Sequence, residues 1–244
     1  MASIPPQRAK SSSIRTTVYT LLAASVIPCL NSCRDTDTDK ALLPVLNDIV
    51  ELNEMDNGRT IFHLYQPDSS TPITLTCNNE IIDTTAIHVG QSLLLAYRYT
   101  NQNPTTSLQS GEITPTGYAR ITNLTLMQAD KDGLYGWDSD PVYLQSIWRA
   151  GQRVNLRLTL TYDPQPRHFA IIIDKNTMND AIPTAYLFNS RKSTSPNFTR
   201  QYYVSCNLSP IFSHTGVTAL RLIVNNSNTT SGLPTPSEYI ITRP

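Results

Sequence analysis

The feature of this sequence that most restricts its fold is the alternation of apolar and polar residues in short segments from residue 48 onward. A period of two places every second side chain on one face of a strand, and no long helical period occurs in this part of the chain. The alternating segments are residues 48–55, 59–66, 73–77, 92–100, 118–128, 153–162, 168–174, 185–190, 201–208, 217–224 and 238–243. The pattern predicts an all-β protein.

The first five segments predict an OB-like barrel. Asp56-Asn57-Gly58 is a strong hairpin signal between the first two segments. A short irregular stretch separates the third segment from the fourth, as in a small Greek-key barrel of the OB type. We therefore expect an OB-like β-barrel domain over residues 47–129.

The composition changes after this region. The segment ADKDGLYGWDSDP, residues 129–141, is rich in Asp and Gly and has no apolar periodicity, so we expect a linker over residues 130–145. The six later segments favour an antiparallel β-sandwich over residues 146–244, with Trp148, Phe169 and Leu187 in its core.

The expected linker contains the candidate binding residues Tyr135 and Trp137. Their rings could stack on a sugar or fill the interface between the domains. The linker also contains four carboxylates, which could supply oxygen ligands to calcium. No downstream Glu closes a calcium loop, so we interpret these residues as a solvated linker: Asp130, Asp132, Asp138 and Asp140.

The amino terminus predicts a targeting segment. Residues 1–15 carry three basic residues and no acid, and residues 16–28 form an apolar run. That run has the length of a signal-peptide core and is shorter than the roughly 20 residues of a membrane span. We expect a lipoprotein signal peptide over residues 1–32.

The end of this segment, Leu30-Asn31-Ser32-Cys33, resembles the bacterial lipobox. The resemblance implies cleavage before Cys33, acylation of its thiol and attachment to the membrane through that lipid. Residues 33–46 then form a flexible acidic tether, which resembles a surface-export signal of Bacteroidota lipoproteins. These features predict an outer-membrane lipoprotein of the cell envelope, and they leave open whether it faces the periplasm or the outer surface. The alternative is that Cys33 is an ordinary thiol or a disulfide partner.

Two further cysteines, Cys77 and Cys206, each lie in a predicted strand. Free cysteine behaves as a small buried apolar residue, so we favour two buried thiols. A disulfide between them stays open, because an oxidising compartment would permit one.

The charge and motif content argue against two large classes of function. The formal net charge is +0, so the chain has no basic field with which to hold nucleic acid. Gly-x-Ser-x-Gly, Gly-x-Gly-x-x-Gly and the phosphate-binding Gly-rich Lys motif are absent. The four histidines lack the spacing of a helical zinc site. We expect no enzyme activity, no metal and no cofactor.

The carboxyl-terminal segments resemble, in order, the NigD-like lipoprotein family of Bacteroidota. The resemblance rests on a Trp before a Gly-containing turn, a strand of alternating Leu, a His opening the next strand and a Tyr-rich strand. These residues are Trp148, Gly151, Leu156, Leu158, His168, Tyr202, Tyr203, Ser205 and Leu208. A further sequence motif of this family is matched in part by Leu187, Asn189 and Arg191.

This resemblance implies an OB-like domain followed by a β-sandwich, and it brings no established activity. We therefore expect a noncatalytic, envelope-anchored module that binds a glycan, a peptide or an envelope protein. The alternative is a structural accessory subunit of an outer-membrane complex that has no small-molecule ligand.

Overall fold

Two β-sheets follow one another along the chain and confirm the expected all-β class. The computed structural model describes residues 44–78, 82–83, 85–100, 108–130, 139–165, 167–191, 198–231 and 237–244. The described helical elements are α1 (Ser209–Phe212) and 3₁₀ turns at Lys175–Thr177 and Thr229–Ser231. Within the described ranges, no helix is long and apolar enough to cross a membrane.

The first sheet is a closed five-stranded barrel with strand order β1-β2-β3-β5-β4. Its strands are β1 (Leu46–Asp56), β2 (Arg59–Leu64), β3 (Ile73–Cys77), β4 (Ser92–Tyr99) and β5 (Gly111–Arg120). Strand β1 pairs with both β2 and β4, and β3 pairs in parallel with β5. Asn57 and Gly58 have φ values of 47° and 80°, as the predicted hairpin turn requires. The expected OB-like barrel is confirmed.

The barrel core is filled by the inward side chains of these strands. Its fully enclosed members include Phe62 and Tyr97. The Tyr97 hydroxyl donates a hydrogen bond of 3.0 Å to Oδ2 of Asp48. Burial raises the pKa of Asp48 above its ordinary value, and the Tyr97 hydrogen bond acts in the opposite direction. The barrel wall thus holds a carboxylate whose described partner is a neutral hydroxyl.

The second sheet has eight strands in the order β13-β12-β10-β9-β6-β11-β8-β7. They are β6 (Thr122–Ala129), β7 (Tyr143–Ala150), β8 (Arg153–Thr161), β9 (His168–Asp174), β10 (Thr184–Ser190), β11 (Thr199–Asn207), β12 (Ala219–Val224) and β13 (Ser237–Thr242). Most pairings are antiparallel, as expected for the sandwich. The pairs β6–β9, β6–β11 and β10–β12 are parallel.

The inner faces of this sheet share one core, so the sheet must curve around it. Residues from β7 to β13 contribute to that core. Asn226 ties the two edge strands together, because its Oδ1 accepts from the backbone N–H of Leu144 in β7 while its Nδ2 lies 3.4 Å from Oγ of Ser237 in β13. The curved sheet forms the expected sandwich.

The chain passes from the first sheet to the second at Ile121. The predicted single strand over residues 118–128 is therefore wrong, because it comprises the end of β5 and most of β6. The expected 47–129 domain includes one strand of the second sheet, and β7 begins inside the expected 130–145 linker. The alternation of apolar and polar residues continues on both sides of Ile121, so it could not reveal that the chain passes from one sheet to the other there. Residues 131–138 of that linker lie outside the described residues.

A β-bulge in β7 changes which of its side chains face the core. The register shifts between Leu144, opposite Leu158, and Ser146, opposite Arg157. An extra residue in one strand reverses the inward and outward phase beyond it. Ile147 consequently packs on the core, whereas Trp148 lies half-buried on the outer face. The predicted core position of Trp148 is wrong.

The other two predicted core residues are confirmed. Leu187 belongs to the core of the second sheet, and Phe169 packs against it. The favoured interpretation of the cysteines as two buried thiols is also confirmed, because Cys77 lies in the barrel core and Cys206 in the core of the second sheet. Burial raises the pKa of the Cys206 thiol to about 12, although nearby Arg153 acts to lower it.

Two buried arginines join the barrel to the second sheet; we call this region the joint. Arg149 is 6% exposed. Its Nη1 donates to the backbone oxygens of Ser69 and Gly151 and to the hydroxyl of Ser70, and its Nη2 donates to the carbonyl of Asp68. One guanidinium thus satisfies several acceptors of the loop between β2 and β3.

The second arginine of the joint, Arg153, is 8% exposed. Its Nε lies 3.2 Å from Oε2 of Glu51, its Nη2 donates to the carbonyl of Gly90, and its Nη1 lies 3.4 Å from Oγ of Ser205. Ser205 Oγ is in turn 3.0 Å from Ser92 Oγ. Glu51 of β1 is thus held in an ion pair with a strand of the second sheet.

Gly151 brings the hairpin between β7 and β8 close against the barrel. Its φ is +57°, and a Cβ built at this position would lie 2.8 Å from the ring of Tyr65. Its backbone N–H donates to the carbonyl of Ser69 at 3.0 Å. Glycine is required twice here, for the left-handed backbone and for the close approach. Residues 42–244 form one compact unit.

Candidate functional site

The residues that the sequence singled out for function lie outside the described residues. They are Cys33, Tyr135 and Trp137. The signal peptide over residues 1–32 and most of the expected tether lie there as well. The candidate site therefore consists of described residues that the sequence did not indicate as binding residues.

A cleft of about 370 Å³ opens at the end of the second sheet that is remote from the joint. Strands β7 and β8 run between these two regions, since the hairpin at Gly151 is at the joint while Tyr143 and Thr161 line the cleft. The lining residues are Asp140, Pro141, Tyr143, Thr159, Leu160, Thr161, Arg167, Arg191, Thr199 and Ser227.

Arg167 is held in the cleft wall by neutral groups. Its Nη1 donates to Oδ1 of Asn189 at 3.1 Å, and its Nη2 donates to the carbonyl of Thr161. Its guanidinium carbon also lies 5.7 Å from the ring centre of Tyr202, a distance typical of a cation–π contact. Among the described residues, no carboxylate forms an ion pair with Arg167. The wall thus carries a fixed positive charge without a described counter-charge.

Asp140 and Arg191 lie together at the mouth of the cleft. The backbone N–H of Arg191 donates to Oδ2 of Asp140 at 3.0 Å, and the N–H of Asp140 donates to the carbonyl of Asn189 at 2.7 Å. These bonds fix the chain at both sides of the opening. The Arg191 side chain is exposed, so its charge is accessible from solvent.

Hydroxyl groups, the Tyr143 ring and the apolar side chains of Pro141 and Leu160 supply the rest of the lining. Thr159, Thr161 and Thr199 line the floor. Tyr143 is 39% exposed, and Phe198, the residue before Thr199, is 56% exposed. The Phe198 ring stacks on Tyr162 with centres 4.7 Å apart and an interplanar angle of 9°. This stack holds Phe198 in place despite its exposure.

The polar surface continues from the cleft along the outer face of β7, β8 and β11. Gln201 lies opposite Thr159, and its side chain contacts those of Gln145 and Tyr203 at 3.2 Å and 3.0 Å. Trp148 follows further along the same face, opposite Asn155. The sheet therefore presents aromatic residues flanked by amides, which is the feature expected of a binding surface.

A second cavity, of about 270 Å³, lies where the barrel meets the second sheet. Several of its polar groups already bond to one another: Ser92 N–H donates to Oδ1 of Asn123 at 2.7 Å, and Nδ2 of Asn123 donates to the Ser92 carbonyl at 2.8 Å. These groups are thus satisfied within the protein, whereas two arginines line the cleft, and we take the cleft as the candidate site.

The histidines are distributed over both sheets and their loops, at positions 63, 88, 168 and 214. Within the described part of the chain, no group of three or more His, Cys, Asp or Glu side chains could hold a metal ion. The described side chains therefore do not assemble a candidate metal-binding site.

The fold defines the class of protein before any comparison is made: an OB-like barrel followed by a curved, mixed β-sandwich. No family model matches the sequence. No curated protein matches it either.

Solved structures of Bacteroides proteins share this fold. A protein of unknown function from Bacteroides vulgatus aligns with a TM-score of 0.62 and 14% identity, over 82% of this chain and 92% of that one. A candidate lipoprotein from Bacteroides fragilis aligns with a TM-score of 0.57 and 11% identity, over 82% and 99%.

A NigD-like immunity protein from Bacteroides caccae aligns with a TM-score of 0.50 and 16% identity, over 80% of this chain and 96% of that one. The resemblance to NigD-like proteins that the sequence suggested is confirmed at the level of the fold. At these identities, the likeness extends to the fold alone.

Proposed function

We propose that this protein is a noncatalytic lipoprotein of the cell envelope that is anchored through Cys33 and binds a ligand in the cleft of its second sheet. The observation that carries the binding role is the fixed guanidinium of Arg167, which neutral acceptors hold in the wall of an open cleft. A buried or half-buried charge is costly unless it is matched. A ligand of opposite charge would supply the match.

The outer face beside the cleft supports the same proposal. Tyr143, Trp148 and Tyr203 lie on one face of neighbouring strands with Gln145 and Gln201 between them. Aromatic rings flanked by amides combine apolar contact area with groups that donate and accept hydrogen bonds. This composition favours recognition of a polar ligand over a purely structural role.

The anchor is tested by intact-mass analysis of detergent-extracted protein beside a Cys33→Ala variant. We expect loss of residues 1–32 and added acyl chains that disappear in the variant. An unacylated chain, or cleavage elsewhere, would remove the anchor from the proposal.

The binding role is tested by applying the mature chain to arrays of envelope glycans and peptides. Arg191→Gln and Tyr143→Ala alter the cleft, whereas Arg59→Gln removes the same charge from the exposed β1–β2 hairpin. We expect at least one ligand whose signal falls in the cleft variants, persists in the control and is recovered chemically unchanged. If no ligand depends on the cleft, or if the bound ligand is converted, the proposal is wrong.

A further inference from the structure

The charges of the cleft indicate the sign of its ligand. Among the described lining residues, Arg167 and Arg191 are basic and Asp140 is acidic. Oδ2 of Asp140 already accepts the Arg191 N–H, and Arg167 is held by neutral acceptors. The positive charges exceed the negative one, so an anionic group is favoured. Guanidinium groups bind carboxylates through paired, charge-assisted hydrogen bonds.

The remaining surface indicates what carries that anionic group. The volume of about 370 Å³ falls near the lower end of the range for small-ligand sites, roughly 300–1,000 Å³. The hydroxyls of Thr159, Thr161 and Thr199 can both donate and accept hydrogen bonds, which suits the hydroxyls of a sugar. The exposed ring of Tyr143 lines the cleft, which suits the apolar face of a sugar ring.

The floor of the cleft argues against an extended peptide. A peptide that binds by strand addition needs unpaired backbone groups at a sheet edge. The floor comes from β8 and β11, which pair with each other from Thr161 opposite Thr199 to Arg153 opposite Asn207. Contacts at the floor must therefore be made by side chains, and these are mainly hydroxyls.

We infer that the ligand is an acidic saccharide whose ring carboxylate bonds to Arg167 and Arg191 while its hydroxyls contact the threonines of the floor. This inference rests on the proposed function and specifies the chemical class of the ligand at the same cleft. Recognition depends on the carboxylate, so esterification of that group is the sharpest single change to the ligand.

The test is calorimetric titration of the mature chain with galacturonate and glucuronate trimers, with sialyllactose, with the methyl esters of all three, and with an oligoglutamate peptide. We expect an acidic saccharide to bind and its ester to bind about tenfold to a hundredfold more weakly, since a charge-assisted hydrogen bond is lost. Arg191→Gln should give a similar loss, and Arg59→Gln should not. Rising salt should weaken binding of the acid and leave the ester unchanged.

Three results would overturn the inference. They are equal affinity for acid and ester, cleft-dependent binding of oligoglutamate in place of the saccharides, and no binding of any acidic saccharide. A neutral glycan or a peptide that still depends on the cleft would leave the proposed function standing. Arg167→Gln serves as a second variant, provided that its urea midpoint equals that of the unmodified chain.

Discussion

The joint and the cleft each contain two arginines, and the two pairs differ in how deeply their charges are buried. At the joint, Arg153 faces the Glu51 carboxylate, and Arg149 is enclosed by the acceptors of a neighbouring loop. In the cleft, Arg167 contacts neutral acceptors and Arg191 is exposed. Strand β8 spans the distance between them, roughly 25–30 Å at about 3.3 Å per residue. The same residue type therefore stabilises one end of the strand and leaves charge available at the other.

The largest expected effect is at the joint. Arg149→Ala removes the hydrogen bonds to Asp68, Ser69, Ser70 and Gly151 together with a side chain that is only 6% exposed. We expect the free energy of unfolding to fall by about 3–5 kcal/mol, measured by urea denaturation. Pulsed alkylation of Cys77 and Cys206 would report the barrel and the second sheet separately. A loss below 1 kcal/mol would mean that the joint does not depend on this side chain.

The second effect concerns the close approach of the hairpin to the barrel. Gly151→Ala places a Cβ 2.8 Å from the Tyr65 ring at a φ of +57°. Gly58→Ala is the matched control, because Gly58 has a φ of +80° with nothing within 4 Å. We expect a loss of about 1 kcal/mol in the control, from backbone strain alone, and about 2–3 kcal/mol at Gly151. Equal urea midpoints for the two variants would contradict the close packing.

The third expected effect is a pH dependence of stability that comes from Asp48, a carboxylate whose described partner is the neutral Tyr97 hydroxyl. Burial raises the pKa of Asp48 above its ordinary value of 3.8, while the Tyr97 hydrogen bond lowers it. Because the folded-state pKa is the higher one, the stability associated with Asp48 is complete below pH 3.8 and is lost as the pH rises through the folded-state pKa.

Asp48→Asn keeps an acceptor for Tyr97 and removes the titration. The decline of unfolding free energy above pH 3.8 should therefore be shallower in Asp48→Asn than in the unmodified chain. Asp56→Asn, at the exposed hairpin, is the control and should retain the slope. The measurement is a series of urea midpoints over this pH range, and unchanged slopes in both variants would exclude Asp48 as the source.

The smallest expected effect on stability is at the cleft. Arg191→Gln alters an exposed side chain whose described contact is made by its backbone. The free energy of unfolding should change by less than about 0.5 kcal/mol, although ligand affinity should fall. A destabilisation comparable to that of Arg149→Ala would remove the distinction between the two arginine pairs.

Alternation predicted most of the strands because strand faces depend on local sequence. The hairpin at Asn57 and Gly58 was equally predictable from its local preference for positive φ. The core prediction for Trp148 was wrong because the bulge in β7 reverses the inward and outward phase beyond it, and a bulge is not visible in a pattern of apolar residues. The transfer from one sheet to the other at Ile121 has no local signal.

The arginine pairs could not be assigned from sequence, because their partners are distant along the chain. Arg153 and Glu51 are 102 positions apart, and Arg167 and Asn189 are 22 positions apart. The resemblance to NigD-like proteins did draw attention to Asn189 and Arg191, without indicating that both belong to one cleft. The binding role of Tyr135 and Trp137 stays a prediction.

The position of β6 has a consequence for how the chain acquires its structure. This strand emerges directly after the barrel strands, yet its neighbours β9 and β11 are synthesised much later. Pairing between strands that are distant in sequence slows folding, because the entropy cost of closing the intervening loop comes before the stabilising contacts form. The barrel strands can pair early. Until β9 and β11 have been synthesised, both edges of β6 stay unpaired and can pair with other chains. The order of synthesis thus makes the interval before β11 arrives the period in which this protein is most prone to aggregate.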